Sequence, residues 1–340
     1  MAKLKRPYRI LIIILGIILM VLVLSILGQW IFDRTYRFPA QINYGVTFSP
    51  QFAQDLGLDW QDTYLKTLDE VKVKRLRLPT YWNVLEKEPD SLDYSEIDWM
   101  LSEAQKRGAQ VILVVGVRQP RWPECHIPSW ARQLSVKERQ QQILELINQV
   151  VSRYQNHPSI VAYQVENEPL FRFFGEGCDD PDVNFLTSEV ELVRELTDKP
   201  IIVTASGELE LWGTHMRLSD IFGTTLYRKV YNPITHFTSY PIFPYMYNLK
   251  SSLTSSIFAP QNQKTIIAEL QAEPWSPVND LMNMPLTQQM SVFSLDKFQE
   301  NINYAKKTGF DSAYLWGVEW WYWMREAGHP QYLDYAKTLF

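Results

Sequence analysis

The sequence predicts an α/β protein, a (β/α)8 TIM barrel preceded by a single N-terminal transmembrane helix. Short apolar segments alternate with amphipathic segments eight times between residue 42 and the C-terminus. Most of the short segments are continuous runs of Val, Ile and Leu, which is typical of parallel strands buried on both faces. A doubly wound open sheet is the alternative, but it normally has a glycine-rich turn after an early strand, and this sequence has none. Eight units joined by right-handed crossovers therefore favour a closed barrel.

The predicted strands and helix ends give the order of the elements. Ser95–Asp98 and Ser135–Glu138 have the pattern of capping boxes that open helices. Gly108 and Gly309 follow basic last turns, as left-handed C-terminal caps do, and the last helix is predicted at Gln331–Leu339. The eight predicted strands are Ile42–Phe48, Arg75–Leu78, Gln110–Gly116, Ile160–Val165, Ile201–Ala205, Ile221–Leu226, Thr265–Ala268 and Ser312–Trp316.

The N-terminal segment predicts a membrane anchor. Four basic residues precede a nearly unbroken apolar run from Ile10 to Gly28, which is long enough to cross a bilayer as one helix. The basic flank predicts a cytoplasmic N-terminus and an extracytoplasmic barrel. A cleaved signal peptide is the alternative, although no small-x-small cleavage site is evident at the end of the run. The predicted divisions are a basic tail (1–9), a transmembrane signal-anchor (10–32), a linker (33–41) and the barrel domain (42–340).

Composition limits the classes of partner and cofactor. The net charge of −5 argues against nucleic acid as a partner, because phosphate binding needs a basic face. Twelve tryptophans and eighteen tyrosines exceed the usual need of a core and predict an aromatic surface groove. The five histidines show no metal-binding spacing, so neither a metal nor a cofactor is predicted. Cys125 and Cys178 lie in polar loops of the predicted exported part, where a disulfide is favoured over two free thiols.

Two predicted strands end in carboxylates. Strand four runs into Glu166, Asn167 and Glu168, and strand seven ends at Glu269. Because functional residues of such barrels lie at the C-terminal ends of strands, and strands four and seven lie opposite each other, these carboxylates would flank one bound molecule. Paired carboxylates suit cleavage of a glycosidic bond, in which one acts as a protonated acid and the other as a nucleophile. The predicted substrate is therefore an oligosaccharide or polysaccharide.

Other strand ends supply residues that suit such a site. Arg77 ends strand two and would pair with an ionised nucleophile, although Arg75 competes for that role. Tyr227 follows strand six and offers a hydroxyl as a hydrogen-bond donor. Trp316 ends strand eight and offers a flat apolar face to a sugar ring.

The element order and the stretch "VENEP" resemble clan A retaining glycosidases, which include the cellulase/mannanase family and many β-galactosidases. The likeness extends from about Ile42 to the C-terminus and is sharpest at Asn167-Glu168-Pro169. It implies a retaining mechanism without a cofactor. The resemblance implies that Glu168 is the general acid/base and that Glu269 is the nucleophile. It implies that Arg77 lies beneath the nucleophile and that Tyr227 donates a hydrogen bond to it. The residues implied to contact the sugar are Asn167 at the 2-hydroxyl, Trp316 as the floor of the glycone subsite, and the loop histidine His126.

Several alternatives remain open from the sequence. Glu273 is the rival nucleophile, but it is predicted to be a solvated loop carboxylate, and Glu166 is predicted to lie inside the barrel beside a basic group. Trp320, Trp321 and Trp323 would line the site or face lipid headgroups. The aromatic stretch 231–247 would line distal subsites or pack a long loop. A transglycosylase that remodels surface glycans and an inactive carbohydrate-binding barrel are the alternative functions, and the sugar is not determined.

Overall fold

The computed structural model describes residues 6–232, 234–260, 263–276 and 281–340. Eight parallel strands form a closed barrel in the order β1-β2-β3-β4-β5-β6-β9-β10, and β10 pairs with β1. This architecture confirms the predicted (β/α)8 barrel. The barrel strands are β1 (Asn43–Thr47), β2 (Arg75–Pro79), β3 (Gln110–Val115), β4 (Ile160–Val165), β5 (Ile201–Ala205), β6 (Ile221–Leu226), β9 (Lys264–Gln271) and β10 (Ser312–Trp316).

One helix precedes the first strand, and the other helices lie between or after the strands. The helices are α1 (Arg6–Thr35), α2 (Pro50–Asp55), α3 (Trp60–Asp69), α4 (Trp82–Leu85), α5 (Ser95–Lys106), α6 (Val136–Tyr154), α7 (Val183–Leu196), α8 (Gly213–Leu218), α9 (Pro244–Phe258), α10 (Leu286–Val292), α11 (Leu295–Lys306), α12 (Val318–Glu326) and α13 (Gln331–Lys337), with 3-10 turns at Ala131–Gln133 and Leu281–Asn283.

One of the two predicted capping boxes is wrong. Ser135 and Glu138 form the reciprocal pair at the start of α6, as predicted. Ser95 is instead the first residue of α5, and its backbone N–H donates to the carboxylate of Asp93. Asp93 thus accepts from the first N–H of the helix, and the Ser95 side chain does not cap it. Gly108 and Gly309 have the predicted left-handed conformation, with φ of +62° and +82°.

The hairpin between β6 and α9 was not predicted. Its antiparallel strands are β7 (Lys229–Asn232) and β8 (His236–Ser239). The aromatic content of this segment did not distinguish a hairpin from a packed loop. Strand β9 is also longer than predicted, so that Glu269 lies within the strand rather than at its end. The hairpin extends the wall of the barrel on its β6 side.

Layers of inward-facing residues fill the barrel and support the site. An apolar layer of Ile112, Ala162, Ile202, Ile266 and Tyr314 closes the end where the strands begin. Because inward-facing residues recur every second position, the next layer on β4, β5 and β10 contains Gln164, Thr204 and Trp316. The polar residues of the site therefore rest on an apolar base.

Helix α1 is one continuous helix of 30 residues. Its segment Ile12–Thr35 is long and apolar enough to cross a membrane, and none of the most apolar 18-residue window within it is buried against the barrel. The helix continues three residues past the predicted end at residue 32, into the predicted linker. Length and composition fit either an anchor or a signal sequence.

Cys125 and Cys178 form a disulfide. Cys125 lies in the loop after β3 and Cys178 lies in the loop after β4. The bond therefore joins two neighbouring loops at the C-terminal ends of the barrel strands.

Candidate active site

The C-terminal ends of the strands surround a cavity of about 690 Å³. Four residues predicted for the site line this cavity: Glu168, Tyr227, Glu269 and Trp316. Arg77 and Asn167 are buried and contact these residues or each other. The fold thus brings together six of the seven predicted site residues, which come from β2, β4, β6, β9 and β10 or the loops after them.

Glu269 is bound by two donors. The guanidinium of Arg77 donates from Nη1 to Oε1 at 2.9 Å, and the hydroxyl of Tyr227 donates to Oε2 at 2.8 Å. Arg77 is fully buried, so its charge is not screened by water. The negative charge of the Glu269 carboxylate is therefore compensated on two sides while its side chain still lines the cavity.

Arg77 also orients the neighbouring polar groups. Its Nε donates to Oε1 of Gln164 at 2.7 Å, and its Nη2 donates to Oδ1 of Asn167 at 2.6 Å. Arg75, the competing arginine, is the first residue of β2 and lies at the opposite end of the barrel. Arg77 lies two residues further along β2 on the same face, and it is Arg77 that is hydrogen-bonded to Glu269, so Arg77 is the arginine of the site.

Glu168 lies in a different environment. Its backbone N–H donates to Oγ1 of Thr204 at 2.9 Å, and its carboxyl accepts a hydrogen bond from Oγ1 of Thr225 at 3.1 Å. Burial, followed by the negative charges of Glu269 and Glu124, raises the pKa of Glu168 well above 4.5. A carboxyl with such a raised pKa retains its proton at a pH where an exposed glutamate has lost it.

Glu166 lies inside the protein, but its partners differ from the prediction. A basic group was expected, whereas the carboxylate accepts from the backbone N–H groups of Val117 (2.7 Å) and Arg118. It is also hydrogen-bonded to buried Glu189, whose pKa is raised well above 4.5 by burial and by the charge of Glu166. Two main-chain donors therefore bind the carboxylate directly, and the predicted basic group is Arg118, whose charge lowers the pKa of Glu166 without a direct ion pair.

The turn around Glu166 requires a close approach of two loops. Glu166 and Glu168 have left-handed φ values of +58° and +45°, which is uncommon for residues with side chains. A Cβ on Gly116 would lie 2.1 Å from the Glu166 carboxylate, so only glycine fits there. The hydrogen bonds of Glu166 tie the loop after β3 to the end of β4 and so position the Asn167-Glu168 pair.

Glu124 is a site residue that sequence reasoning missed. It is buried, lines the cavity, and accepts a hydrogen bond from Nδ2 of Asn167 at 3.3 Å. The pKa of Glu124 is raised to about 7, mainly by burial; the charge of Arg118 lowers it and the charge of Glu269 raises it. Glu124 directly precedes Cys125, and this adjacency to a predicted disulfide was the available signal. The cavity therefore contains a third carboxyl close to the predicted pair.

The prediction that Glu273 is a solvated loop carboxylate is wrong. Glu273 is buried and forms an ion pair with Arg121, which also pairs with buried Glu319 at 2.7 Å. The Arg121 guanidinium also lies 4.4 Å from the centre of the Trp316 ring. The loop after β9 thus folds back under Trp316, where an arginine is available to pair with the carboxylate.

Replacing Arg121 with methionine is expected to lower the free energy of unfolding by about 3–5 kcal/mol, because two buried carboxylates then lose their cation. Arg153→Met is the matched control. Arg153 pairs with Asp98 where both side chains are more than 40% exposed, so this change should cost less than about 1 kcal/mol. Urea unfolding of the full chain in detergent would measure both variants. Equal, small losses would contradict a structural role for Arg121.

His126 is not part of the cavity lining. Its ring stacks on Tyr81 with 4.0 Å between centroids, and Nε2 lies 3.2 Å from the carbonyl oxygen of Arg121. Burial lowers its pKa to about 4, so the ring is neutral at physiological pH. His126 is therefore buried against Tyr81 and does not line the cavity, so the structure does not support its predicted substrate contact.

The tryptophan cluster of α12 belongs mainly to the core. Trp320 and Trp321 are fully buried, and their indole N–H groups donate to Oε1 of Gln289 and to the carbonyl of Ala272, both at 2.8 Å. Trp323 is half-buried. These contacts are those of a helix packing on the barrel, so the alternatives of a sugar site or a lipid-facing surface are wrong for Trp320 and Trp321.

The aromatic stretch 231–247 divides between the two alternatives. Tyr231 and Tyr240 line the cavity. Tyr247 is buried, and its hydroxyl donates to Oε1 of Glu208 at 2.5 Å. Within the described parts of the chain, no group of three or more His, Cys, Asp or Glu residues is arranged to hold a metal ion. The cavity therefore combines carboxyl groups with aromatic walls.

Comparison with known protein families identifies the barrel. Residues 43–220, just over half of the chain, match the model described as cellulase (glycosyl hydrolase family 5). The chain belongs to glycosyl hydrolase family 5. The match includes Glu168 and ends before Glu269, which the structure alone brings beside it. Membership in the family supports glycoside hydrolysis in general. A comparison with curated proteins finds no match to this chain.

Solved structures share the fold at low sequence identity. A variant of GH5_18 from Bifidobacterium longum subsp. longum ATCC 55813 in complex with Manβ1-4GlcNAc has a TM-score of 0.57 at 12% identity, over 81% of this chain and 68% of that one. A β-galactosidase from Rahnella sp. R3 has a TM-score of 0.54 at 12% identity, over 82% of this chain and 52% of its own. The chain spans about half the length of this enzyme and of the β-galactosidase from Bacillus circulans sp. alkalophilus.

Proposed function

We propose that the protein is a retaining β-glycoside hydrolase that cleaves O-glycosidic bonds by double displacement. One observation carries the proposal: two carboxyl groups line the same cavity in opposite environments. Glu168 is buried with a strongly raised pKa, whereas Glu269 is paired with Arg77 and Tyr227. When the surroundings of one carboxyl favour its protonated form and those of the other favour its ionised form, the first is assigned as the acid and the second as the nucleophile.

The first half-reaction forms a covalent intermediate. A carboxylate oxygen of Glu269 attacks the anomeric carbon, the bond from that carbon to the leaving oxygen breaks, and Glu168 gives its proton to that oxygen. In the second half-reaction Glu168, now ionised, takes a proton from water as the water oxygen attacks the anomeric carbon. The ester bond to Glu269 breaks, so that one glycoside and one water give a sugar and an alcohol.

The remaining residues would bind the sugar. Trp316 is proposed as the floor of the glycone subsite, since its ring lines the cavity and Arg121 supports its position. Asn167, oriented by Arg77 and Glu124, is proposed to contact the 2-hydroxyl of the sugar. The proposed substrate is an oligosaccharide or polysaccharide, or another β-linked glycoside, and the chemistry of these residues requires no cofactor.

Helix α1 is proposed as a signal-anchor with a cytoplasmic N-terminus and an extracytoplasmic barrel. The length of the apolar segment, the basic residues before it and the disulfide in the barrel support this topology. Mass spectrometry of the N-terminal peptide from a membrane fraction would test it. A mature N-terminus after residue 28 would mean a cleaved signal peptide instead.

Covalent trapping tests the mechanism. The full chain would first be screened with aryl β-glycosides, and the preferred sugar would then be supplied as its 2-deoxy-2-fluoroglycosyl derivative. We expect one fluoroglycosyl ester per chain, located on Glu269 by peptide mass spectrometry. A label on another residue would overturn the assignment of the nucleophile. Release of the α-anomer from a β-glycoside, followed by NMR, would exclude retention.

Replacing Glu124 with glutamine is expected to move the alkaline limb of the pH profile of kcat/KM to lower pH. The charge of Glu124 contributes to the raised pKa of Glu168. An acid loses activity as pH rises through its pKa, so a lower pKa ends activity earlier. The shift should be smaller than the effect of burial, which is the first cause. Glu195→Gln on the exposed surface of α7 is the control and should leave the limb in place; an upward or absent shift for Glu124→Gln contradicts the prediction.

A further inference from the structure

The end of α1 contacts the barrel at two levels. The hydroxyl of Tyr36 donates to the carbonyl of Gly309 at 3.2 Å. Gly309 lies between α11 and the start of β10, and therefore at the end of the barrel where strands begin. Its left-handed φ and the absence of a Cβ allow the Tyr36 ring to approach closely. The last residues of α1 are thus attached near the base of the barrel.

One to two turns earlier, α1 contacts the first turn of α9. The backbone N–H of Tyr245 donates to Oε1 of Gln29 at 3.0 Å, and the rings of Phe32 and Tyr245 lie 6.4 Å apart. Tyr245 is in the first turn of α9, which follows the hairpin after β6 and ends shortly before β9 begins. The first turn of α9 therefore lies above the base of the barrel, toward the level where the strands end. Toward its N-terminus, α1 thus rises from the base in the direction of the active-site face.

The apolar part of α1 continues beyond that face. Nineteen residues from Ile10 to Gly28 precede Gln29, and at 1.5 Å per residue they extend about 28 Å. This length is close to the thickness of the hydrocarbon core of a bilayer. If α1 spans the membrane, the bilayer lies on the side of the barrel where the cavity opens. Trp30, half exposed, and Arg34, which lies 4.0 Å from the Trp30 ring, stand where interfacial residues are expected.

Exposed apolar side chains occupy the same face. Phe173, in the loop after β4, is 87% exposed, and Leu211, in the loop after β5, is 88% exposed. Ile234, between β7 and β8, is 90% exposed. Half of the other large apolar residues that are exposed outside α1, within the described parts of the chain, lie along α9, the helix beside α1. Polar-rimmed surfaces with several such residues commonly contact other proteins or membranes.

The cavity is apolar where it reaches this surface. Phe171, Phe173, Phe174 and Trp275 line it, together with Leu209. Phe173 and Leu209 are also among the exposed apolar residues of the face. A continuous apolar wall therefore leads from the carboxyl groups to the surface from which α1 departs. Such a wall suits an aglycone that is itself apolar.

We propose that the active site faces the bilayer and that the substrate is a glycolipid, a β-glycoside whose long-chain aglycone is embedded in the same membrane as α1. This inference rests on the proposed glycosidase function and on α1 as an anchor. The loops bearing Phe173, Leu211 and Ile234 rest on the lipid surface, and the sugar headgroup enters the cavity from the membrane side. The aglycone stays in contact with the aromatic wall and the lipid.

The orientation is tested without reference to activity. Leu211→Cys and Ile257→Cys each add one thiol to a chain whose own two cysteines are joined in a disulfide. Ile257 is 73% exposed at the far end of α9 and is the matched control. With an environment-sensitive fluorophore on each thiol, in phosphatidylcholine vesicles containing brominated lipid, we expect quenching several-fold stronger at position 211. Equal quenching, or stronger quenching at position 257, overturns the proposal.

The substrate class is tested with two glycosides of one sugar. The sugar chosen by the aryl glycoside screen is supplied as a soluble 4-nitrophenyl β-glycoside and as an octadecyl β-glycoside in phosphatidylcholine vesicles. The reconstituted full chain should cleave both. Leu211→Asp should lower turnover of the octadecyl glycoside roughly tenfold and leave the soluble substrate unaffected, whereas Ile257→Asp should affect neither.

The outcomes separate the two proposals. Cleavage of the nitrophenyl glycoside without cleavage of the octadecyl glycoside overturns the glycolipid inference and leaves the glycosidase function standing. Cleavage of no glycoside overturns the proposed function, while the quenching experiment still decides which face meets the membrane. Equal losses on both substrates for Leu211→Asp show a general effect on the fold and contradict a membrane-specific role.

Discussion

Replacing Glu269 with glutamine is expected to reduce kcat by about 10⁴-fold or more, since the variant has no nucleophile to form the glycosyl ester. Glutamine keeps the shape of the side chain and an oxygen for the hydrogen bond from Arg77, so the barrel should still form. The loss of a buried negative charge leaves Arg77 uncompensated, and we expect a lower free energy of unfolding by up to about 3 kcal/mol. Stopped assays with an aryl β-glycoside, together with circular dichroism, measure the two effects separately.

A smaller variant gives the sharper test of this role. In Glu269→Ala the side chain is removed, and azide is expected to occupy its place and attack the anomeric carbon directly. The product is then the α-glycosyl azide, identified by NMR. Glu195→Ala on the exposed face of α7 is the matched control and should retain full activity without forming an azide adduct. Hydrolysis by Glu269→Ala at the wild-type rate would contradict the assignment of Glu269 as the nucleophile.

Replacing Glu168 with glutamine is expected to lower kcat/KM by about 10²- to 10⁴-fold for substrates whose leaving oxygen needs a proton. The loss should nearly vanish for a dinitrophenyl leaving group, which departs without protonation. Release of the intermediate still needs a base, so a burst of dinitrophenol followed by slow turnover is expected. Pre-steady-state absorbance measures this burst, and equal losses for both leaving groups would contradict the acid/base role.

The pH profile provides an independent check on Glu168. Its pKa is raised well above 4.5, first by burial and then by Glu269. Because the acid works only when protonated, wild-type kcat/KM should persist above the usual range of a glutamate and fall as pH rises through the raised pKa. In Glu168→Gln this alkaline limb should disappear. In Glu168→Ala, azide should displace Glu269 from the glycosyl ester and give a β-glycosyl azide. This product would support an intermediate attached to the α face of the sugar.

The barrel and most of the site were predictable because their signals are local or periodic. Continuous apolar runs marked the strands, and the bounds of β4, β5, β6 and β10 match the prediction. The positions of Glu168 and Trp316 at strand ends followed from the order of the strands, since a closed barrel brings all strand ends to one face. For these residues, position in the chain was sufficient information.

The failures share one physical cause, which is that loop conformation depends on distant partners. Glu273 was expected to be solvated because it lies past the predicted end of the strand and directly before Pro274, whereas Arg121 reaches it across the barrel mouth. Glu124 was overlooked for the same reason, because its contact with Asn167 joins two loops. His126 has the residue type of a sugar contact, but packing against Tyr81 places it behind the cavity wall.

The sequence by itself determined the fold class, the apolar N-terminal helix and the set of strand-end residues from which the site is built. These properties follow from hydrophobic periodicity, which depends only on the order of residues. The tertiary structure alone decided which carboxyl holds a proton, which arginine meets Glu269, and toward which face α1 leaves the barrel. Each of these depends on distances between residues far apart in the chain, and burial makes those distances decisive because charges interact strongly away from water.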